Sequence, residues 1–332
     1  MPQHDIKLTA LSRGRAAPDA TIGKDPGVDR YDRLIERARR GDLVRIDGAT
    51  GSEVIRRGVP EHELGWSGAA ALTHPEIVRA VHDDYLRLGA DLIASCTFAA
   101  GRNVMDDVGR GHQFEDVNRI AVELAVAARD ASRRDDVVVA GGVSNWSFSG
   151  DHPPLDRLRE DTVRQAEIMR DAGADLISLE MMVDIDRMTA TLDAVTTVGL
   201  PIWVGFSIGP EEGHDASELA DPIPLRDADL LVDAVDVARD HGADVLCLMH
   251  TDTRLIEPGL RAMRTRWDGP LGAYAHAAIV VDGQFPSFDD AITPDDYAAF
   301  VPIWRAVGAT LIGGCCGIGP DHMHAVNAVL AD

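Results

Sequence analysis

The sequence predicts a (β/α)8 TIM barrel preceded by a short flexible N-terminal arm. Short apolar runs alternate with amphipathic helical segments at intervals of about 30 to 45 residues, which is the spacing of strand-plus-helix units. Eight such units follow one another in a chain of 332 residues. Eight consecutive units favour a closed parallel barrel over an open, doubly wound sheet, which is the alternative interpretation.

The chain divides into an arm at residues 1–28 and a barrel domain at residues 29–332. The arm mixes glycine, proline and charged residues without a sustained period, which indicates a flexible segment. A short amphipathic helix, Tyr31–Arg40, leads into the first strand. The apolar runs that predict strands are Leu43–Asp47, Ala90–Cys96, Val137–Val143, Ala174–Glu180, Ile202–Ile208, Asp244–His250, Leu271–His276 and Thr310–Cys315.

The segments between these runs carry helix periodicity or helix-start signals. The predicted helices are Pro75–Leu88, Phe114–Ser132, Asp156–Ala172, Asp184–Val198, Asp227–His241, Thr253–Thr265, Pro294–Val307 and Asp321–Leu330. Several of them end on a Gly-Ala pair, and glycine there is typical of a helix C-cap directly before a strand. These pairs are Gly89-Ala90, Gly173-Ala174, Gly242-Ala243 and Gly308-Ala309.

Charge and composition exclude several classes of function. The formal net charge of -23 argues against binding to nucleic acid or to an anionic membrane surface, because both require basic patches. No apolar run approaches the ~18 residues of a membrane span, and residues 1–20 contain no signal-peptide core. We therefore expect a soluble, cytoplasmic protein. A homo-oligomer is compatible with the sequence.

The use of cysteine and lysine limits the kinds of catalysis that this chain can perform. The four cysteines, Cys96, Cys247, Cys315 and Cys316, are too few for a secreted disulfide scaffold of this length, so their thiols are expected to be free. Lysine occurs only at Lys7 and Lys24, both in the predicted arm. Schiff-base chemistry, pyridoxal phosphate attachment and a P-loop each require a lysine, and are excluded if the arm lies outside the core.

The stretch Gly313-Gly314-Cys315-Cys316-Gly317 places two adjacent thiols at a strand-to-helix corner. Neighbouring cysteines rarely form a disulfide, because the bridge requires Cβ atoms that converge from two chain segments. Thiols near a helix N-terminus are pulled toward thiolates, which bind soft metals. The structural alternative is a buried pair of small apolar residues.

Polar groups recur at the predicted carboxyl ends of the strands, where a barrel builds its active site. They are Asp47, Cys96-Thr97, Glu180, His250, Tyr274 to His276, and Cys315-Cys316. Each has a structural alternative: Asp47 as a turn cap, for example, or Glu180 as an acceptor for backbone amides. Together they predict a metal-thiolate pocket that faces two carboxylates.

Three stretches resemble the homocysteine S-methyltransferase family. They are Asp47-Gly48-Ala49-Thr50-Gly51-Ser52-Glu53, then Trp66-Ser67 and His74 to Val78 leading through Gly89-Ala90-Asp91 to Thr97-Phe98, and finally Gly313 to Gly317 with Gly319-Pro320. The resemblance runs from about residue 43 to 330 and implies a zinc-dependent barrel that methylates homocysteine sulfur. Family donors are betaine, S-methylmethionine, S-adenosylmethionine or a methyl-cobalamin partner.

The resemblance implies roles for individual residues. Two of the family's three zinc-binding cysteines correspond to Cys315 and Cys316, and Asp47 and Glu180 take the places of acidic residues that meet the amino group of homocysteine. We predict Asp47, Glu180 and Thr97 as catalytic residues. The predicted substrate-binding residues are Asp47, Glu180, Cys96, Thr97 and His276.

The sequence departs from the family pattern at the third metal ligand and at neighbouring positions. His250 stands where the family has cysteine, so the predicted zinc ligands are His250, Cys315 and Cys316. Cys247 ranks second, because strand alternation is expected to turn it to the opposite face from His250. Cys96 replaces an asparagine, and Tyr274-Ala275-His276 replaces Tyr-Pro-Asn. His276 is then a further ligand or a base, and the alternative for both histidines is packing at the strand ends.

The predicted function is a zinc-dependent S-methyltransferase that transfers a methyl group from a small onium donor to a thiol, most simply homocysteine, giving methionine. The barrel consumes residues 43–330, which leaves no room for a cobalamin or folate module. Three alternatives stay open: a non-catalytic or regulatory barrel that binds a metal or an amino acid, a different acceptor, and a partner protein that carries a corrinoid.

Overall fold

The structure is a computed structural model that describes residues 26–61, 65–209, 219–227, 229–277 and 292–331. The predicted arm at residues 1–28 lies outside these ranges except for its last three residues. These belong to the first helix, which begins at Pro26 rather than at Tyr31. None of the helices in the described ranges is long and apolar enough to cross a membrane.

Eight strands and twelve helices alternate along the described chain. The strands are β1 (Val44–Arg45), β2 (Leu92–Ala94), β3 (Val138–Ser144), β4 (Leu176–Met182), β5 (Ile202–Phe206), β6 (Val245–Asp252), β7 (Leu271–His276) and β8 (Ala309–Ile312). The helices are α1 (Pro26–Arg39), α2 (Gly51–Arg56), α3 (Ala70–Thr73), α4 (Pro75–Arg87), α5 (Arg102–Asp107), α6 (Phe114–Ser132), α7 (Leu155–Asp171), α8 (Ile185–Val195), α9 (Leu231–Asp240), α10 (Thr253–Arg264), α11 (Pro294–Ala306) and α12 (Pro320–Ala331). Two short 3-10 turns lie at Gly111–Gln113 and Thr196–Val198.

The strands form one parallel sheet in the order β1-β8-β7-β6-β5-β4-β3-β2. An isolated parallel bridge between Ile46 and Leu92 joins the two ends of this order. The amide of Asp47 also donates to the carbonyl of Leu92, at 3.0 Å. The sheet thus closes on itself, which confirms the predicted (β/α)8 barrel and rules out the open sheet.

Most predicted elements occur at or near their predicted bounds. Strand β7 and helix α6 match to the residue, whereas α9 begins at Leu231, four residues later than predicted. The glycine caps are confirmed, because Gly89, Gly173, Gly242 and Gly308 all have positive φ. The sequence did not predict α2, α3 and α5, three short helices that lie in the βα connections around β1 and β2.

Alternation along the strands divides the core into two layers. Leu92 and Val138 belong to a cluster inside the barrel, whereas the next residues, Ile93 and Val139, belong to the larger cluster between the sheet and the surrounding helices. Successive side chains of a strand point to opposite faces, so every strand contributes to both layers. The residues that continue these strands at their carboxyl ends therefore meet at one mouth of the barrel.

Helix α1 covers the opposite end of the barrel. Three aspartates directly precede β2, β4 and β6, each as the third residue of a Gly-Ala-Asp sequence. Each of these aspartates forms an ion pair with an arginine of α1. The pairs are Arg37–Asp91 (3.1 Å), Arg30–Asp175 (3.0 Å) and Arg39–Asp244 (3.3 Å).

The contact between α1 and the barrel continues into the interior. The hydroxyl of Tyr31 donates to Asp244 at 2.9 Å and accepts from the indole Nε1 of Trp203 at 3.1 Å. Leu34 and Ile35, which are also buried, pack in the cluster inside the barrel. Helix α1 is therefore part of the barrel core, and it leaves the mouth at the carboxyl ends as the open end.

Replacing Asp175 by asparagine tests this closed end. Asp175 binds both Arg30 and Arg129 and also accepts from the amide of Val139 at 2.8 Å, and its side chain is 4% exposed. Loss of its charge leaves the largely buried Arg30 without a carboxylate and Arg129 with only the exposed Asp130, so we expect the free energy of unfolding to fall by about 2–4 kcal/mol. Chemical denaturation measures this free energy. The control is Asp156→Asn at a 97% exposed side chain, where no measurable change is expected; an equal effect of both variants would contradict the interpretation.

Candidate active site and metal centre

The loop between β8 and α12 carries the cysteine pair and is held by the ends of β1 and β7. On the β7 side, the amide of Cys315 donates to Ala275 O at 2.9 Å, and the carbonyl of Cys316 accepts from Ala277 N at 2.8 Å. On the β1 side, Gly314 N donates to Asp47 O at 3.0 Å. The neighbouring strands therefore fix the backbone of both cysteines on either side.

Glycine is required where this loop meets the end of β1. A Cβ added at Gly48 would lie 2.5 Å from the carbonyl of Ile318, and one at Gly313 would lie 2.7 Å from the carbonyl of Asp47. Real Cβ atoms do not approach a backbone so closely. The Asp-Gly and Gly-Gly-Cys-Cys sequences, far apart in the chain, are thus two halves of one packed contact.

His250, Cys315 and Cys316 form a compact group of potential metal ligands. His250 Nδ1 lies 4.0 Å from Cys315 Sγ and 3.7 Å from Cys316 Sγ, and the two sulfurs are 3.8 Å apart. A tetrahedral zinc ion, with Zn–S of about 2.3 Å and Zn–N of about 2.0 Å, requires about 3.8 Å between sulfurs and about 3.6 Å between sulfur and nitrogen. The three atoms therefore fit one metal ion and leave a fourth position.

The protonation of these side chains suits metal binding. Burial lowers the pKa of His250 well below its ordinary value, and the charges of His276 and Arg226 lower it further, so the imidazole is neutral. The Cys315 thiol donates to the Cys316 sulfur, which lowers the pKa of Cys316 and raises that of Cys315. A metal ligand set needs a neutral imidazole and thiolates, and two of the three groups already tend toward those states.

His250 reaches the thiols because β6 is irregular at its end. The pairing of β6 with β7 shifts register between Met249 and Asp252, and His250 has a φ of 46°. Cys247 and Met249 both point into the barrel interior, so regular alternation would have turned His250 outward. Regular alternation therefore does not hold at the end of β6: Cys247 faces the barrel interior, and an irregular backbone brings His250 to the mouth. Cys247 is not in the ligand group.

Asp47 and Glu180 lie in the same pocket as the cysteines. Asp47 is 3% exposed, and its Oδ2 accepts from Ala94 N at 2.8 Å. Burial raises its pKa well above the usual value, and the neighbouring charge of Glu180 raises it further. Burial likewise raises the pKa of Glu180 to about 8, with a contribution from Cys315. Two carboxylates held this way are poised to accept a cation.

Thr97 and Cys96 also line this pocket. The hydroxyl of Thr97 donates to Gly142 O at 2.7 Å and lies 2.8 Å from the hydroxyl of Ser95. Burial raises the pKa of Cys96 to about 12, so its thiol stays protonated. Gly142 leaves room for Glu180, since a Cβ there would lie 2.8 Å from the carboxylate Oε1. Both predicted residues thus border the carboxylate site, and Thr97 shapes it through the β3 backbone.

His276 lies beside His250 rather than among the pocket-lining residues. The two rings are 5.0 Å apart at nearly right angles. His276 is 4% exposed, and its Nδ1 has no hydrogen-bond partner within the described chain. Burial lowers its pKa to about 4. His276 therefore borders the metal group as a neutral imidazole, and its predicted contact with substrate stays a prediction.

The pocket contains about 770 Å³ of space, including its opening to solvent. It extends from the cysteines down to Trp203, Met249 and Tyr274 in the barrel interior. Aromatic side chains border its mouth in a continuous cluster, which we call the aromatic wall. Its ring contacts are Trp66–Phe98 (5.6 Å), Trp66–Trp146 (6.3 Å), Phe98–Trp146 (5.9 Å) and Trp146–Phe148 (6.0 Å).

Sequence reasoning missed Ser207 and Arg226, which contact His250. Ser207 directly follows β5 and lies within the predicted apolar run Ile202–Ile208, where a serine carries no distinctive signal. Arg226 lies in the long connection between β5 and α9, and its Nη2 donates to the carbonyl of His250 at 3.2 Å. The sequence places Arg226 in an irregular stretch with no helix or strand period, so no pattern points to it.

Comparisons with known proteins show the family of the chain. Residues 44–330 match the family model described as Homocysteine S-methyltransferase. Homocysteine S-methyltransferase 3 of Arabidopsis thaliana is 25% identical over 328 residues, which cover 88% of this chain and 91% of that protein. Homocysteine S-methyltransferase of Escherichia coli (strain K12) is 26% identical, and the match covers 86% of this chain and 95% of that protein.

The fold is also similar to solved structures. The metallated form of the homocysteine methyltransferase MmuM from Escherichia coli matches with a TM-score of 0.72 and 23% identity, covering 92% of this chain and 99% of that one. At this identity the likeness concerns the fold, whereas the family match spans residues 44–330. We conclude that the chain belongs to the homocysteine S-methyltransferase family and is a methyltransferase.

Proposed function

We propose that this protein is a zinc-dependent S-methyltransferase that transfers a methyl group from a small onium donor to homocysteine, giving methionine. The observation that carries the proposal is the ligand group of His250, Cys315 and Cys316 in a barrel mouth that also holds Asp47 and Glu180. The matched family model and curated relatives support the acceptor. The free cysteines support a reducing, cytoplasmic compartment.

His250, Cys315 and Cys316 would hold the zinc ion. Bound there, zinc would supply Lewis acidity, which keeps a coordinating thiol deprotonated at neutral pH. The residues of the chain orient the acceptor and exclude water. Ile46, Leu92 and Trp203 form the apolar floor of the pocket, and their burial removes solvent that would otherwise compete for the sulfur.

The two carboxylates are suited to the ammonium group of the acceptor. An ammonium ion in a largely dry pocket needs a charged partner, because an unpaired buried charge is costly. Burial also disfavours the anionic forms of Asp47 and Glu180, as their raised pKa values indicate. A bound ammonium group between them would offset both penalties at once. This complementarity favours an amino-acid thiol over a thiol without an amino group.

The aromatic wall is suited to a cationic donor. The faces of tryptophan and phenylalanine rings attract cations, and Trp66 and Phe98 both line the pocket beside the cysteines. In the transfer, the bond between the methyl carbon and the donor's sulfonium sulfur or ammonium nitrogen breaks, and its electron pair stays with the donor, which becomes neutral. A new bond forms between that carbon and the acceptor sulfur, whose proton passes to solvent.

Metal content tests the ligand assignment. We expect the purified protein to contain one equivalent of zinc by elemental analysis. Cys315→Ser and His250→Ala should each lose most of it, because a two-ligand site binds zinc poorly. Cys247→Ser is the matched control, since its thiol lies in the barrel interior, and should retain zinc. Full zinc content in the Cys315 variant, or a metal-free native protein, would contradict the assignment of these ligands.

Glu180→Gln tests the acceptor. The substitution keeps the shape of the side chain and removes its charge, so the apparent KM for homocysteine should rise by the equivalent of roughly 2–3 kcal/mol. Zinc content should stay unchanged, and the KM of a thiol without an amino group should change little. An unchanged KM for homocysteine points to another acceptor. Loss of zinc would instead make Glu180 part of the metal site.

Donor specificity separates the catalytic proposal from its alternatives. Methionine formed from homocysteine and each of S-methylmethionine, betaine and S-adenosylmethionine is measured by mass spectrometry. We expect turnover with at least one of them, and Trp66→Leu should raise the KM of that donor more than the KM of homocysteine. Strict dependence on an added corrinoid protein would overturn the onium donor. Absence of turnover with every donor would favour a binding protein.

A further inference from the structure

The backbone at His250 is strained. Its φ of 46° lies in the left-handed region, which residues with a Cβ adopt rarely. In an extended conformation, His250 would follow the inward-facing Met249 and turn away from the barrel axis. The left-handed turn is therefore what brings Nδ1 to the two thiols, and a conformation of this kind persists only when neighbouring groups fix it.

Ser207 provides one such contact from the adjacent strand. Regular pairing between β5 and β6 ends at Phe206 and Leu248. Directly beyond that pair, the hydroxyl of Ser207 donates to the carbonyl of His250 at 2.7 Å, and Ser207 is fully buried. A side-chain hydroxyl therefore holds the strained residue at the point where the backbone ladder stops.

Thr251 provides a second contact on the other side of His250. Its hydroxyl donates to the carbonyl of Met249 at 2.8 Å and accepts from the amide of Ile208 at 3.1 Å. Thr251 is also fully buried. Hydroxyl groups thus bond backbone groups at the irregular end of β6 and at the adjoining end of β5.

Arg226 orients the Ser207 hydroxyl. An antiparallel bridge between Ile208 and Leu225 returns the chain to the end of β5. There Arg226 Nε donates to Ser207 Oγ at 2.9 Å, and its Nη2 donates to the carbonyl of His250 at 3.2 Å. Because Ser207 Oγ accepts from the guanidinium, its own proton is directed to the His250 carbonyl.

We propose that Ser207, Thr251 and Arg226 are positioning residues, together a clamp that holds His250 in the left-handed conformation needed for metal binding. The inference rests on the proposed function in one respect, since it takes His250 as a zinc ligand. The clamp touches the backbone of His250 and leaves its imidazole to the metal. Its effect is to keep the third ligand in place before the ion arrives, which raises metal affinity.

Zinc affinity in a double-mutant cycle tests the clamp. Zinc dissociation constants are measured by competition with a chromophoric chelator for the native protein, Ser207→Ala, His250→Ala and the double variant. Ser207→Ala should weaken zinc binding about 10–100-fold, the usual effect of removing a group that orients a metal ligand. The double variant should bind no more weakly than His250→Ala alone, because without the imidazole the clamp has nothing to position.

Thr191→Val is the matched control. The hydroxyl of Thr191 is equally buried and donates to Asn145 Oδ1 at 2.9 Å and to Arg187 O at 2.8 Å, on helix α8 outside the barrel. Its loss removes a comparable set of hydrogen bonds without touching His250. Zinc affinity should stay within about twofold of the native value, since orienting effects are confined to groups that contact a ligand.

A cobalt spectrum separates positioning from a general loss of structure. Co²⁺ bound to Ser207→Ala should show shifted ligand-field bands as the imidazole leaves or moves, whereas partial unfolding would only lower the intensity of the native spectrum. If Ser207→Ala does not fold, Arg226→Gln tests the same clamp from a partly exposed position, and a several-fold loss of zinc affinity is expected.

The outcomes keep the two claims apart. Native zinc affinity in His250→Ala would refute the ligand assignment, which belongs to the proposed function. Weakened binding in His250→Ala but native affinity in Ser207→Ala, or in Arg226→Gln where that variant replaces it, would overturn the clamp alone. An equal loss from Ser207→Ala with and without His250 would also overturn it, because the serine would then act by another route.

Discussion

The backbone contact between the ends of β1 and β8 is the constraint on which the site depends. At Gly48 and Gly313 the two segments approach so closely that any Cβ would collide with a carbonyl of the other segment. The same contact brings the carboxylate of Asp47 to the loop that carries Cys315 and Cys316. Assembly of the site therefore depends on the close packing of β1 against β8, and a side chain at either glycine would disturb it.

The acidic groups gathered at this mouth are suited to binding cations. Two carboxylates and two thiols share a buried pocket. Burial raises the pKa values of Asp47 and Glu180, and the hydrogen bond to Cys316 together with burial raises that of Cys315. In the proposed reaction, zinc, the acceptor ammonium and the onium donor are all cationic. Each would stabilise anionic forms that burial disfavours, so the same desolvation that raises these pKa values strengthens the attraction of the site for all three.

The sequence predicted the barrel and most of the site because both follow from periodic or local signals. Apolar runs predicted the strands, Gly-Ala pairs predicted the helix ends, and polar residues directly after the runs predicted the residues at the mouth. The position of His250 was predicted but its orientation was not, because one irregular residue reverses the face on which a strand residue lies. Arg226 could not be found, since a long connection brings it to Ser207 and local patterns carry no information on such contacts.

The irregular end of β6 brings one member of the ligand group to the mouth of the barrel. On a regular strand, residue 250 would face away from the barrel axis whatever its side chain, because Cys247 and Met249 face inward. The left-handed turn at His250 reverses that orientation, and the buried hydroxyls of Ser207 and Thr251 bond the carbonyls of His250 and Met249. The ligand, the strained backbone and the polar residues around it therefore form a single structural solution, in which the histidine requires the turn and the turn requires the hydroxyls.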